Sequence, residues 1–403
     1  MASYRELASR HPSFRERSET ESLISEISLQ PWRAFGMDGV IFFSDILTPL
    51  PAMGMEFVVD EARGPIVADT VREQGDVPRL LGPIRLDKVR FALEALADIR
   101  SKIEHESKQG GQEAEAEEGA GTPGATGAPA PPPSFSSLSE GAPALPPSPS
   151  APALIGFIGS PFTLATYAIE GATSSTLART KRMAAEDPAT LAATLEALAE
   201  GLAAYAAAQV EAGAQYLVVF DSWGGKLTPS QWDVWSGPYL ARVMDRTRET
   251  LLARGYDAAW RGLGAGGGDA SAPRLPPIAV YALGTGGLLE RLARTGADVV
   301  GVDQATDLDD ARRRVDAVRP GVVLQGNLDP AALLAGNRAI DLAADEALRK
   351  GFFRATQDQP DAPLAGRILN VGHGLIPTTP EDAVRRLVRI CKAGGAAAAQ
   401  QDA

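Results

Sequence analysis

The sequence predicts an α/β fold, a (β/α)8 TIM barrel that lacks its first strand. Three observations carry this. Short apolar runs alternate with longer stretches of helical periodicity. The runs are near-continuously apolar, as in a parallel sheet covered on both faces. In run after run, polar residues fall at the C-terminal end, the rim where such barrels build their sites.

The expected strands are 38–44 (DGVIFFS), 154–159 (LIGFIG), 215–220 (QYLVVF), 278–283 (IAVYAL), 298–302 (DVVGV), 322–326 (VVLQG) and 367–371 (RILNV). Asp187-Pro188 is a helix start. Leu191, Leu195, Leu198, Leu202 and Tyr205 follow it at helical spacing. The stretches 230–254 and 307–318 read as helices too. Strands alternating with helices imply βαβ units. Seven strands suit a doubly wound sheet as well as an incomplete barrel. The rim decides for the barrel. Ser44-Asp45, Ser160, Asp221-Ser222, Gly284-Thr285, Asp303, Gln325 to Asn327 and His373 each end a run, whereas a doubly wound sheet gathers polar residues at one crevice. No GxGxxG or GxxxxGK[ST] follows a strand, so dinucleotide and P-loop sites are disfavoured.

From 105 to 152 the chain is nearly all Ala, Pro, Gly, Ser and Glu. Such a stretch buries too little apolar surface to offset its ordering entropy. The expected organisation is 1–104 as the first part of the barrel and 105–152 as a disordered insertion. The remainder of the barrel occupies 153–395, and 396–403 form a disordered tail. A second loop-like stretch is 261–277 (RGLGAGGGDASAPRLPP).

The net charge of −12 disfavours nucleic acid and anionic membranes as partners, and an anionic ligand needs a local basic pocket. No run of eighteen charge-free apolar residues suggests a membrane span. The charged start, MASYREL, does not read as a secretory signal, and its acids argue against an intact transit peptide. With Cys391 the single cysteine, no internal disulfide or cysteine metal cluster is available. HExxH is absent, so no metal is expected.

Four residues are candidates for chemistry. Asp45, just past a buried strand, is either a turn cap or a group that holds a cation. His373, flanked by glycines in NVGHGL, either faces a ligand or anchors its loop. Tyr167, in GSPFTLATYAIEG, is either core or cleft wall. Ser222, in FDSWGG, is either a hydrogen-bond donor to a ligand or a helix N-cap; its surroundings are not a GxSxG elbow.

Six segments in one order resemble the uroporphyrinogen decarboxylase family. They are SLQPWRAFGMDGVIFFSDILTPLPAMGMEF, LIGFIGSPFTLATYAIEG, VVFDSWGGKL, YALGTGGLLERL, VVLQGNLDP and ILNVGHGL. They run from Ser28 to about 392, nearly all of the foldable chain, and look most like the plastid-type branch of plants and algae. The resemblance implies removal of carbon dioxide from the four acetate side chains of uroporphyrinogen III without metal or organic cofactor, giving coproporphyrinogen III for haem and chlorophyll. It implies that Asp45 binds the pyrrole N–H groups and steadies a cationic intermediate. It implies that Tyr167 lines the cleft beside it and that Ser222 and His373 hold substrate carboxylates. It further implies a homodimer and, through the subfamily, a plastid location with the cytoplasm as the alternative.

One departure stands out. The family opens with a strand and a motif of the form RQAGRYLPEYRE, whose leading arginines hold carboxylates. Only Tyr4-Arg5-Glu6 matches its end, leaving Arg5 to face the cleft. An N-terminally truncated gene model is the expected explanation. The others are a second chain that supplies the piece, and a paralogue that binds porphyrinogen or an active homologue without turnover. A corrinoid-linked methyltransferase is a further alternative. It would need a zinc site with a rim cysteine, and Cys391 lies in a C-terminal helix pattern.

Overall fold

A computed structural model describes residues 1–60, 63–119, 151–257, 274–350 and 367–401. The seven expected strands are all present, as β1 (Gly39–Ile41), β4 (Ala153–Gly159), β5 (Tyr216–Phe220), β6 (Ile278–Tyr281), β7 (Val299–Gly301), β8 (Val323–Gln325) and β9 (Arg367–Ile368). They form one parallel sheet in the order β1-β4-β5-β6-β7-β8-β9. An antiparallel hairpin, β2 (Phe57–Asp60) and β3 (Gly64–Val67), stands apart from it. This hairpin is not among the expected strands, because both of its strands are short and mostly half-exposed and carry no clear apolar alternation.

The sheet is curled. Tyr216 on β5 donates its hydroxyl to Gln325 Oε1 on β8 at 2.6 Å. Three strand spacings separate them, roughly 14 Å on a flat sheet. The bond closes because both side chains point into a common interior. Phe157, Val218, Ala279 and Val299 fill that interior. The other face, with Ile158, Val219, Val280 and Val300, packs under the helices.

The helices before the insertion are α1 (Ala2–Arg10), α2 (Phe14–Glu19), α3 (Glu21–Phe35), α4 (Pro49–Met53), α5 (Asp76–Leu80) and α6 (Arg90–Gly119). Those after it are α7 (Pro161–Glu170), α8 (Ala178–Glu186), α9 (Pro188–Glu211), α10 (Pro229–Trp235), α11 (Gly237–Ala253), α12 (Leu289–Arg294), α13 (Leu308–Asp316), α14 (Asn337–Arg349) and α15 (Glu381–Gln401). Asp187 caps α9 as expected, accepting from Thr190 N. By length and composition α9 could cross a membrane, but 67% of its apolar window is buried inside the fold. Its apolarity serves the core.

Three expectations need correction. The stretch 230–254 is two helices, α10 and α11, because Pro238 lacks the N–H that a continuous helix would use. The helix α6 runs on to Gly119, into the stretch expected to be disordered from 105; its remainder, 120–150, lies outside the described residues. Likewise α15 reaches Gln401, through most of the expected disordered tail. Most of the loop-like 261–277 also lies outside the described residues.

The helical layer closes over β9 and β1. Arg385 on α15 donates to Ala34 O of α3 at 2.6 Å and lies over the Phe35 ring. Phe35 shares an apolar cluster with Leu387 and Ile390. The strand layer beneath stays open: among the described residues β1 and β9 do not pair. Ile41 and Ile368 remain 46% and 38% exposed, although the register turns both toward the interior.

Candidate active site

Asp45 stands four residues beyond β1. Leu47 N donates to its Oδ1 at 2.9 Å, and Thr48 N donates to its carbonyl at 3.1 Å. The carboxylate thus caps its own turn. Burial pushes its pKa above the ordinary value, the Leu47 amide opposes this, and Glu19 adds to the rise. The turn lies against the end of β4. A side chain on Gly159 would touch Ile46 Cβ at 3.5 Å, an ordinary contact distance, and would displace the tip of Leu164 at 2.3 Å. Before it, Phe43 packs on Tyr4 and Phe14, with ring centroids 6.3 and 5.6 Å away.

Tyr167 comes from α7, the helix that follows the next strand. Ser160 caps α7 by accepting from Thr163 N at 3.0 Å, and Pro161 presets the first turn. Tyr167 lies about two turns on, buried, with its ring 6.4 Å from that of Trp223. Trp223 N donates to Thr163 Oγ1 at 3.4 Å.

Ser222 follows β5 and is exposed, with no hydrogen bond among the described residues. The N-cap reading fails here: the N-cap of the 3-10 turn Gly224–Lys226 is Trp223, and no side chain caps it. Its neighbour Asp221 is fully buried, and its carboxylate accepts from Ser160 Oγ, Ser236 Oγ and Trp232 Nε1 at 2.6, 2.8 and 3.0 Å.

His373 follows β9 and is also exposed. Its Nδ1 lies 3.5 Å from Tyr281 Oη, long for a hydrogen bond. The firmer contact is to the backbone, where Tyr281 Oη donates to Gly372 O at 2.9 Å. Burial, with Asp303 adding to it, pushes the Tyr281 hydroxyl up to about 12, so it remains a donor. Asp303 in turn accepts from Gly284 N, Thr285 N and Thr306 Oγ1 at 2.8, 3.0 and 2.8 Å. Arg5 is exposed on α1, with no side-chain bond or ion pair among the described residues. Its neighbour Tyr4 rests on Phe43 of the Asp45 loop.

Asp45, Tyr167 and Ser222 therefore stand on the consecutive segments that follow the neighbouring strands β1, β4 and β5, Tyr167 within α7 and the other two on loops. His373 stands across the open seam, beyond β9. Tyr281 is not among the residues the sequence singles out, and the clamping role of Asp221 and Asp303, which end their runs at the rim, is visible only in the structure. Tyr281 could have been suspected from its place at a strand end, among otherwise apolar residues.

The sequence model described as "Uroporphyrinogen decarboxylase (URO-D)" matches residues 1–112 and 148–394. The chain belongs to the uroporphyrinogen decarboxylase family. Residues 113–147 fall outside the match, within the low-complexity stretch. "Uroporphyrinogen decarboxylase 1, chloroplastic" of Oryza sativa subsp. japonica is 37% identical over 95% of this chain and 75% of its own length. "Uroporphyrinogen decarboxylase" of Picosynechococcus sp. is 35% identical over 97% of this chain and 89% of its own. "Uroporphyrinogen decarboxylase, chloroplastic" of Nicotiana tabacum is 33% identical over 97% and 80%. The relatives thus include plastid and cyanobacterial forms.

Among solved structures, a "methyltransferase from Methanosarcina mazei" superposes with a TM-score of 0.61 at 15% identity, covering 94% of this chain and 87% of its own. That likeness is one of fold. The donor set does not suit a thiolate-bound zinc site: Cys391 sits on the outer helix α15, and burial pushes its thiol up to about 12.

Proposed function

We propose that the chain is a carboxy-lyase that converts uroporphyrinogen III into coproporphyrinogen III by removing its four acetate carboxylates. The observation that carries this is the family match on both sides of the insertion, with the Asp45, Tyr167 and Ser222 motifs on the three segments that follow consecutive strands.

The chemistry uses the substrate's own pyrrole. Protonation of a ring carbon makes the pyrrole cationic. The acetate C–C bond then breaks, its electron pair neutralises the ring, and carbon dioxide leaves. A second proton converts the exocyclic carbon into a methyl group, and the proton on the ring carbon is released. Asp45 supplies the negative charge opposite the cation. At about 4 Å and an effective dielectric near 20, this attraction is worth roughly 4 kcal/mol. Realised only as the ring becomes cationic, it is about a thousandfold in rate. Tyr167 walls the cleft and helps exclude water. Ser222, His373 and Arg5 take substrate carboxylates, for which an acidic protein needs dedicated donors. The enzyme works as a homodimer in the plastid.

The test is anaerobic incubation with uroporphyrinogen III, followed by chromatography of the oxidised porphyrins. The expected products carry seven, six, five and finally four carboxylates. Unchanged octacarboxylate that co-elutes with the protein would instead identify a binding paralogue. Light scattering tests the dimer, and transit of a fluorescent fusion tests the plastid location.

A further inference from the structure

We propose that Asp221, which does not touch the substrate, is the positioning residue of the cleft and sets Ser222 and Tyr167 in their working places. This rests on the decarboxylase reading, and it concerns a residue to which that reading gives no role.

Three elements converge on this one carboxylate. Ser160, the cap of α7, bonds Oδ1. Trp232 on α10 and Ser236 between α10 and α11 both bond Oδ2. The Asp221 amide donates to Tyr281 O on the neighbouring strand at 2.7 Å. No cation offsets the charge among the described residues. An anion buried this way is costly unless its oxygens are hydrogen-bonded, and here two hydroxyls and an indole donate to them. A carboxylate that accepts without donating fixes the direction of all three donors at once.

The consequence falls on the next residue. Ser222 follows immediately, in a turn that Asp221 ties to the start of α7. Two further links join the same pair of segments, Thr163 to Trp223 and Tyr167 to Trp223. The two glycines after Trp223 belong to this arrangement. A side chain on Gly224 would come within 1.8 Å of Asp221 Oδ2, and one on Gly225 within 1.9 Å of Leu283 O. The turn is thus pressed onto the carboxylate below and the next loop beside it. Ser222, exposed and unbonded, takes its place from Asp221 rather than from its own contacts.

The experiment compares Asp221→Asn, Ser222→Ala and the double variant in the full chain. It measures KM and kcat for uroporphyrinogen III, and uroporphyrin affinity by quenching of tryptophan fluorescence. Asp221→Asn keeps the size but forces one donor to turn. It should raise KM and weaken uroporphyrin binding about tenfold, as one lost hydrogen bond would, with a much smaller change in kcat. The double variant should bind no more weakly than the weaker single variant, because both act through Ser222. An unchanged KM with kcat reduced only by loss of folded protein overturns the proposal, as do losses that multiply.

If Asp221→Asn fails to fold, Ser236→Ala removes one donor outside the cleft and should shift KM in the same direction by less; no shift overturns the proposal. If the unaltered chain neither binds nor decarboxylates the macrocycle, the decarboxylase reading fails separately. The crystal structure of Asp221→Asn, or of Ser236→Ala, then decides the positioning role. A Ser222 turn displaced from α7 supports it, and an unmoved turn overturns it.

Discussion

The arc β4–β5–β6 and the seam between β9 and β1 are built from the same parallel sheet with opposite economies of contact. The arc strands have seven, five and four residues, whereas β1 has three and β9 two. Along the arc most rim groups are tied down: Asp221 holds three donors and Tyr167 is buried against Trp223, while Ser222 alone of the candidates there stands exposed beside that clamp. At the seam, Asp45 keeps one backbone donor, His373 has one long contact, and two inward isoleucines face solvent. The comparison teaches where each kind of residue can stand. Groups that define geometry sit where packing is complete, and the groups left to meet a charged ligand keep free bonding capacity, at the open seam or, for Ser222, directly beside a clamp.

The sharpest way to break this contrast is to exchange the costs. Asp45→Asn should lower kcat/KM about a thousandfold, the worth of its charge next to a cationic ring. Stability should move the other way. Burial raises Asp45 above its unfolded value, so the folded state binds its proton more readily, and ionising it costs stability as pH rises through that window. Asp45→Asn should therefore melt higher than the parent at pH 7, and the gap should close as pH falls through the raised pKa. Calorimetry across pH checks this; equal melting at every pH would place Asp45 with the arc's structural groups.

Phe157→Ala tests the arc itself. It removes a ring packed between Phe42 and Phe220, and urea unfolding should report a loss of about 3–5 kcal/mol. Gly225→Ala should cost roughly 1–3 kcal/mol through overpacking against Leu283 O. At the seam, Ile41→Ser should change stability by less than about 0.5 kcal/mol and reduce self-association, since an open edge with exposed apolar residues templates strand pairing. A large loss there would mean that the seam is filled in solution. Hydrogen exchange offers the finest comparison. Amides of β5 should open only with global unfolding, while those of β1 and β9 exchange by local opening.

Much of this was legible beforehand. All seven barrel strands were found, because a run such as YLVVF is apolar whatever it packs against. The Asp187 cap was found, because a cap and a proline are local signals. Asp45, Ser222 and His373 were singled out from strand ends and glycine flanks alone. The hairpin β2–β3 was missed, since neither strand buries a continuous face. The extent of α6 was misjudged because composition speaks for low burial, not against helical backbone.

By itself, the sequence determined the order of strands and helices and the rim on which polar residues gather. These follow from local periodicity, which each segment carries within itself. Only the tertiary structure decided that Asp221 would be a clamp, that Tyr281 would hold the His373 loop 91 residues away, and that burial would raise Asp45. Those properties belong to pairs of groups brought together by the curl of the sheet. No single segment encodes them, because the energy of a buried charge or hydrogen bond depends on partners supplied from elsewhere in the chain.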